Sequence, residues 1–294
     1  MEIYQLRTFV AVAEKGHLTR AAEQLHITQP AVTSQIKALE EELGITLFER
    51  NHAGVTLTKA GQTLLSEAEK TLAAAHQMIN TAKSLQGIVT GKARLGIVVD
   101  SDFLRLGSFL NELLAHLPLL EIKLHHALSG AVMEDVRSGA LDGGFFIGTN
   151  NDPKVAAIEL RRLNYHIVAP PSYRDQVLAA GWRDIAAMPW IRTARHSSQS
   201  RLAEEMFREQ GLEPRHVLEL DEEVSLSSLV NAGVGLCLMR EDLALEAAAA
   251  KEAVIWPHAR RRTALHFIHL KTREHDPAIV GVLSVLRRVW SIPK

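Results

Sequence analysis

The sequence predicts an α + α/β fold: a small helical domain closed by a hairpin, one long helix, and a larger C-terminal α/β domain. Three observations predict it. Apolar residues recur at helical spacing through the first 43 residues, with breaks at Gly16-His17 and His26-Ile27. From Lys59 to about Gln86 there is no proline, and the single glycine, Gly61, stands near the start. Beyond Thr90-Gly91-Lys92 short apolar strands alternate with amphipathic helices, the pattern of α/β architecture.

Length and composition bound the problem. A chain of 294 residues suffices for two or three domains. The start, Met1-Glu2-Ile3-Tyr4, lacks the positive and apolar regions of a secretory signal, and no apolar run reaches the ~18 residues of a membrane span. Cys237 is the single cysteine, so neither an intramolecular disulfide nor a cysteine-built zinc site is expected. These features point to a cytoplasmic protein. Over residues 1–60 six Lys/Arg face seven Asp/Glu, so net charge gives no support to nucleic-acid binding. Any such binding must come from charge placed on one face.

In the N-terminal segment Leu6, Phe9, Val10 and Ala13 form the apolar side of a first helix. A second, Leu18–Leu25, carries Ala21 and Ala22, which allow close approach of a neighbour. Thr28 is suited to N-cap a third helix with Pro30 in its first turn, where a missing N–H costs nothing. Val32, Ile36, Leu39 and Leu43 make its apolar stripe, and Gly44 ends it. Gln29, Thr33, Ser34 and Lys37 face the other way. Short polar side chains backed by a buried stripe suit a helix lying in a major groove: Gln reads adenine, hydroxyls reach bases or phosphates, and Lys37 neutralises a phosphate. A three-helix domain used for protein contacts is the alternative. Asn51–Thr58 reads as a hairpin wing turning at Ala53-Gly54.

The order of residues narrows this choice. Leu6-Arg7-Thr8-Phe9-Val10-Ala11-Val12-Ala13-Glu14, then Leu18-Thr19-Arg20-Ala21-Ala22-Glu23-Gln24-Leu25, then Thr28-Gln29-Pro30-Ala31-Val32-Thr33-Ser34-Gln35-Ile36-Lys37-Ala38-Leu39-Glu40 run almost without interruption into Leu43-Gly44, Leu47-Phe48-Glu49-Arg50 and Leu57-Thr58-Lys59-Ala60-Gly61. This run resembles the LysR-type transcriptional regulators over about sixty residues. The resemblance implies a winged helix-turn-helix in which Gln29, Pro30, Thr33 and Ser34 lie at the DNA-reading end of the third helix. It also implies Arg50 near the DNA backbone, with His52 and Ala53 beside the minor groove. Two positions depart from the family pattern: arginine is common at Ser34, and basic residues are common at His52 and Ala53. Both departures should weaken phosphate attraction and guanine readout.

In the long helix Leu65, Ala68, Leu72, Ala75, Ile79 and Ala82 are spaced three and four apart, a heptad seam. A helix of some 27 residues spans roughly 40 Å at 1.5 Å per residue, more than a sixty-residue domain can cover. A second copy is the simplest partner, and the resemblance implies a dimerisation helix placing two reading heads on two half-sites. A core helix within one large domain is the alternative.

Beyond the hinge at Gln86-Gly87, strands are expected at Arg94–Val99, Leu120–His126, Gly143–Ile147, Ile167–Ala169, Pro189–Thr193, Val217–Leu220, Leu236–Met239 and Leu265–Leu270, with helices opening at Ser101 and Ser129. Gly139-Ala140-Leu141-Asp142 and Asn231-Ala232-Gly233-Val234-Gly235 resemble the effector domains of the same family. That resemblance implies two α/β subdomains like a periplasmic binding protein, with crossings near Leu163 and Ala264. The domains expected are thus 1–58 (winged helix-turn-helix), 59–87 (linker helix) and 91–294 (effector domain; subdomain I 91–162 with 265–294, subdomain II 163–264).

Ligands of open α/β sheets sit beyond the C-terminal strand ends, where helix N-termini favour anions. By that rule Ser101, Ser129, Gly130, Phe146, Gly148 and Thr149 are candidate effector contacts. Arg195, in the loop Arg195-His196-Ser197-Ser198, is placed to pair with a carboxylate, and Val224 with Ser225 opens another helix on that side. The serines are equally suited to plain helix capping, and Arg195 to solvent. A small organic anion is the effector class this favours.

Other readings find less support. His125 and His126 alternate faces in a strand, as do His266 and His269, so no metal is expected. Arg260-Arg261-Arg262 reads as a solvated turn rather than a second DNA patch. Asp100 and Asp102 flank Ser101 without a placed histidine, and no phosphate loop, Gly-x-Ser-x-Gly or His-Glu-x-x-His occurs, so no catalytic residue, enzyme activity or cofactor is expected. The expected partners are double-stranded DNA, a small-molecule effector and further copies of the chain, as a dimer or a dimer of dimers.

Overall fold

The computed structural model describes residues 1–51, 54–84, 89–98, 100–195, 197–220 and 225–293. The chain divides into two compact units, Met1–Ile88 and Val89–Lys294.

The first unit contains helices α1 (Ile3–Lys15), α2 (Leu18–Leu25) and α3 (Gln29–Leu43), the antiparallel strands β1 (Phe48–Asn51) and β2 (Gly54–Leu57), and the long helix α4 (Lys59–Ser84). Gly16 ends α1 and Gly44 ends α3, both at φ above +60°, where a side chain would be strained. Thr28 caps α3 by accepting from the Ala31 N–H. Phe9, Val12, Ala21, Val32, Leu39 and Leu47 fill the core, with Phe9 edge-on to Phe48 at 5.5 Å. Leu43, at the end of the expected stripe, is exposed. The Glu40 carboxylate accepts from the Leu47 and Phe48 N–H groups at 2.7 and 3.2 Å, tying the hairpin to α3.

The seam of α4 differs from expectation. Ala68 is only 5% exposed because α1 of the same chain lies against it, and Leu65 and Leu72 pack on that same core. Ala68 is therefore corrected from a dimer contact to a contact within the unit. Ala75 is half-buried, while Ile79 and Ala82, further along, are exposed.

The second unit contains, in order, β3 (Gly91–Ile97), α5 (Leu106–His116), β4 (Leu120–His126), α6 (Ser129–Ser138), β5 (Gly143–Ile147), β6 (Val155–Ala169), α7 (Arg174–Ala179), α8 (Trp182–Ala187), β7 (Pro189–Thr193), α9 (Ser198–Glu209), β8 (Arg215–Leu220), α10 (Leu226–Asn231), β9 (Cys237–Arg240), α11 (Glu241–Ala249), β10 (Val254–Leu270) and α12 (Pro277–Val289). Six strands form one mixed sheet in the order β4-β3-β5-β10-β6-β9. The parallel pair β7-β8 adjoins it through a bridge between Trp190 and Leu236. Cys237 is buried in β9.

Three sequence expectations change here. The short strands at Ile167–Ala169 and Leu265–Leu270 are the ends of two long ones, β6 and β10, of 15 and 17 residues. These pair along most of their length, with Leu163 opposite Thr263 and Arg162 opposite Ala264. Charged and polar residues in their middles, Arg161, Arg162 and Asn164 in β6 and Arg260, Arg261 and Arg262 in β10, hide the strand pattern. The three arginines are thus strand rather than turn: Arg260 pairs with Glu241 at 2.8 Å and Arg261 with Glu209 at 2.6 Å. Ser101 does not open a helix. Asp100 accepts from the Phe103 N–H at 2.7 Å, residues 101–105 form turns, and α5 begins only after Arg105 at φ +49°.

An ion network ties β3 to the residue before β5 and to the start of α12. Asp142, 4% exposed, accepts from the Arg94 backbone N–H at 2.7 Å and from its guanidinium at 2.9 and 3.1 Å, and from Arg273. Arg273 also bonds Asp276, which caps α12 through the Ala278 N–H. Burial alone would raise the Asp142 pKa, but the bonds from Arg94 and the charge of Arg273 outweigh it and hold the carboxyl below its usual range.

Candidate DNA-binding and effector sites

On α3, burial of Val32, Ile36 and Leu39 turns Gln29, Pro30, Ser34 and Lys37 outward, and all four are exposed. Thr33 is half-buried, and its hydroxyl donates to the Gln29 carbonyl at 3.1 Å, so it is engaged by its own helix. Lys37 lies 3.6 Å from Glu41 with both groups in solvent, a pairing a phosphate can displace. The Arg50 backbone is in β1 opposite Val55, while its side chain, and His52 with Ala53, lie outside the described residues.

A groove of about 540 Å³ runs between the start of α2, the start of α3 and the hairpin, walled by His17, Thr19, Arg20, Gln29 and Gly54. The hairpin is held close by the Val55 N–H, which donates to the Gly16 carbonyl at 2.9 Å. A Cβ on Gly54 would lie 2.3 Å from that carbonyl, and its φ is +139°. His17 makes no side-chain cap, so the first N–H groups of α2 are left without one, and Arg20 on the wall of the groove is exposed. The signal for these residues was tertiary: His17 and Gly54 are 37 positions apart.

Ser34 gives a direct test of the face. Ser34→Arg should add about one phosphate contact and steepen the slope of log affinity against log salt by about 0.9. Fluorescence anisotropy on duplex DNA over a potassium chloride series reads this. An unchanged slope would place residue 34 away from the phosphates.

In the second unit the structure brings some of the expected effector residues together. Phe146 is the penultimate residue of β5, Gly148 directly follows the strand, and Ser129 starts α6. The Ser129 hydroxyl is buried and accepts from the Ile147 N–H at 3.2 Å, so it ties α6 to β5 rather than capping a helix. Ser197 does cap: it accepts from the Ser200 N–H at 3.0 Å and shares a 2.6 Å bond with Thr193 at the end of β7. Gly130 is half-buried, and Ser101, Thr149 and Arg195 are exposed. His196 and Val224 lie outside the described residues.

Two arginines were missed. Arg201, in the first turn of α9, places its guanidinium 5.7 Å from the centre of the Phe146 ring. Arg240, at the end of β9, is 3% exposed, bonds Asp242 at 2.7 and 3.0 Å and Asp100 at 3.1 Å, and lies 3.8 Å over the Phe103 ring. Asp100 is thus a salt-bridge and turn residue. Neither arginine has a local sequence signature, because its partners come from other elements. A cavity of about 20 Å³ between β7 and α9, touching Arg192, Ser200, Glu204 and His216, has the size of one water molecule rather than an organic acid. Among the described residues no group of three or more His, Cys, Asp or Glu could hold a metal ion, and no helix is long and apolar enough to cross a membrane.

Comparison with known families settles the architecture. Residues 3–62 match the bacterial regulatory helix-turn-helix proteins of the lysR family, and residues 86–291 match the LysR substrate binding domain. The chain belongs to the LysR family. The HTH-type transcriptional regulator ClcR of Pseudomonas putida is 31% identical to this LysR-family chain over 250 residues, covering 83% of the chain and 84% of the relative. Among solved structures, ArgP from Mycobacterium tuberculosis superposes with a TM-score of 0.70 at 22% identity, over 98% of this chain and 96% of that one. CbnR complexed with its target DNA does so at 0.62 and 24%, over 98% and 99%. The LysR-family chain is a transcriptional regulator with a DNA-binding helix-turn-helix and an effector-binding domain.

Proposed function

We propose that this regulator binds two operator half-sites as a homodimer, and as a dimer of dimers on longer operators, with a small organic anion setting the spacing of its reading heads. Residues 1–58 read the duplex, residues 59–87 pair two copies, and residues 91–294 take the effector between subdomain I (91–162 with 265–294) and subdomain II (163–264). The observation that carries the reading is the outward face of α3: Gln29, Ser34 and Lys37 stand exposed over a buried stripe, as a helix entering the major groove requires. The solved complex of CbnR with its target DNA supports the duplex as partner. The exposed Met78 and Ile79 on α4 support a second copy along the far part of that helix. For the anion, support comes from the hydroxyls of Thr193 and Ser197 and the start of α9, at strand ends where anions are favoured. The protein acts in the cytoplasm, without catalysis. An effector shifts DNA binding only as far as it prefers one of two states of the dimer.

A footprint on the DNA upstream of the protein's own gene, followed by pooled genomic DNA, tests this. Expected is protection over two or more helical turns, with half-sites about 10 bp or a multiple apart. Absence of protection on both, at low salt, would overturn it.

A further inference from the structure

We infer that Arg201 is the residue that grips the effector, and that the effector carries one carboxylate. The inference rests on the proposal that an anion binds at these strand ends. Arg201 is half-buried, and its Nε is fully buried with no hydrogen-bond partner. No carboxylate among the described residues lies within ion-pair distance of it. Its Nη2 lies 2.9 Å from where a Cβ on Gly148 would be, so the guanidinium from α9 reaches across to the end of β5. Gly148 has φ +137° and no side chain, which leaves that approach open.

A half-buried guanidinium without an anion is costly, and nature keeps few of them without use. The neighbouring cations are accounted for. Arg240 is saturated by Asp100 and Asp242. Arg192, whose Nε is likewise buried without a partner, has its charge met by Glu219 through Nη2. Arg195, the expected anchor, is exposed, where a carboxylate pair adds little. One guanidinium in a partly dry site accommodates one carboxylate through two parallel N–H bonds. A second carboxylate would be taken from water without a partner.

An independent observation marks the same place. His266 lies directly across the ladder from Phe146, and its Nδ1 is buried without a hydrogen-bond partner. The Arg201 guanidinium lies 5.7 Å from the centre of the Phe146 ring, and His266 is the cross-strand partner of Phe146. Buried polar groups are almost always paired, so the unpartnered Nε of a guanidinium that has no carboxylate beside it fits a ligand with an anionic oxygen.

The test is saturation-transfer NMR on the full chain. The probes are butanoate, hexanoate and benzoate, each compared with its primary amide (butanamide, hexanamide, benzamide) and with succinate, adipate and terephthalate. Hexylamine is the cationic control. Monocarboxylates should bind roughly 10- to 100-fold more tightly than the amides, the range for a hydrogen bond to a charged group. Arg201→Met should remove this preference, Arg201→Lys should retain part of it, and Arg195→Met should leave it unchanged. Unaltered circular dichroism and melting of Arg201→Met would show that the variant folds. Equal binding of acid and amide, preference for the diacids or hexylamine, or unchanged acid binding by Arg201→Met would each overturn the inference. If an acid still alters the footprint of Arg201→Met, the anion proposal stands and the assignment to Arg201 falls. If no probe binds the unaltered protein or changes its footprint, both fall.

Discussion

Asp142→Ala should destabilise the second unit by about 3 kcal/mol, the low end of the range for breaking a buried ion pair. The low end applies because the two cations it would strand, Arg94 and Arg273, keep side-chain exposures of 37% and 21%. The loss also frees the Arg94 backbone N–H and loosens Arg273, which positions the Asp276 cap of α12. For a unit of this size a melting point lower by roughly 6–12 °C should follow. Tryptophan fluorescence reads it cleanly, because Trp182, Trp190, Trp256 and Trp290 are the four tryptophans and all lie in this unit. The pH dependence carries a sign. The folded-state pKa of Asp142 is depressed, so its contribution is complete above the unfolded value near 4 and is lost as pH falls through the folded value. The stability gap between the native protein and Asp142→Asn should stay constant near neutrality and shrink below about pH 4. A gap that widened in acid would refute the ion network as its source.

Gly61→Ala should have the second largest effect, on the first unit. Gly61 is buried at the start of α4. A Cβ there would lie 2.2 Å from the Leu47 carbonyl oxygen and 2.9 Å from a Leu57 methyl. The first of these is backbone, so no rotamer change relieves it. That carbonyl is already committed to the Thr58 N–H, and Thr58 in turn accepts from the Gly61 N–H. The methyl must push α4 off the hairpin at a cost of about 3 kcal/mol, the upper end for overpacking. Footprinting should show DNA protection lost, while the tryptophan melt of the second unit stays unchanged. Gly107→Ala is the control: nothing lies within 4 Å of its added methyl, it sits within α5, and it should be neutral or stabilising by about 0.5–1 kcal/mol. Retained protection by Gly61→Ala would show that the close approach is not needed for DNA binding.

The helices of the first unit were legible because each signal is local. The bounds of α2 and the Thr28 cap of α3 follow from neighbours within four positions, as does the Gly44 stop. The face of α3 followed from periodicity, since the burial of Val32 and Ile36 dictates where Gln29 and Ser34 point. In the second unit Leu120–His126, Gly143–Ile147 and Pro189–Thr193 were legible for the same reason: each is a short run with clear ends.

What failed to show was whatever depends on distant partners. The middles of β6 and β10 look like charged loops until they lie side by side, Tyr165 opposite Arg261. Ser101 looks like a helix cap until Asp100 takes the Phe103 N–H and bonds Arg240 from 140 residues away. Ala68 looks like half of a dimer contact until α1 covers it. By itself, then, the sequence determined the family, the order of elements and the outward face of α3, all encoded by residues a few positions apart. Only the tertiary structure decided which cations are already paired and that Arg201, half-buried over the Phe146 ring, lacks a carboxylate among the described residues, because charge balance at a site sums over side chains that the chain brings together only on folding.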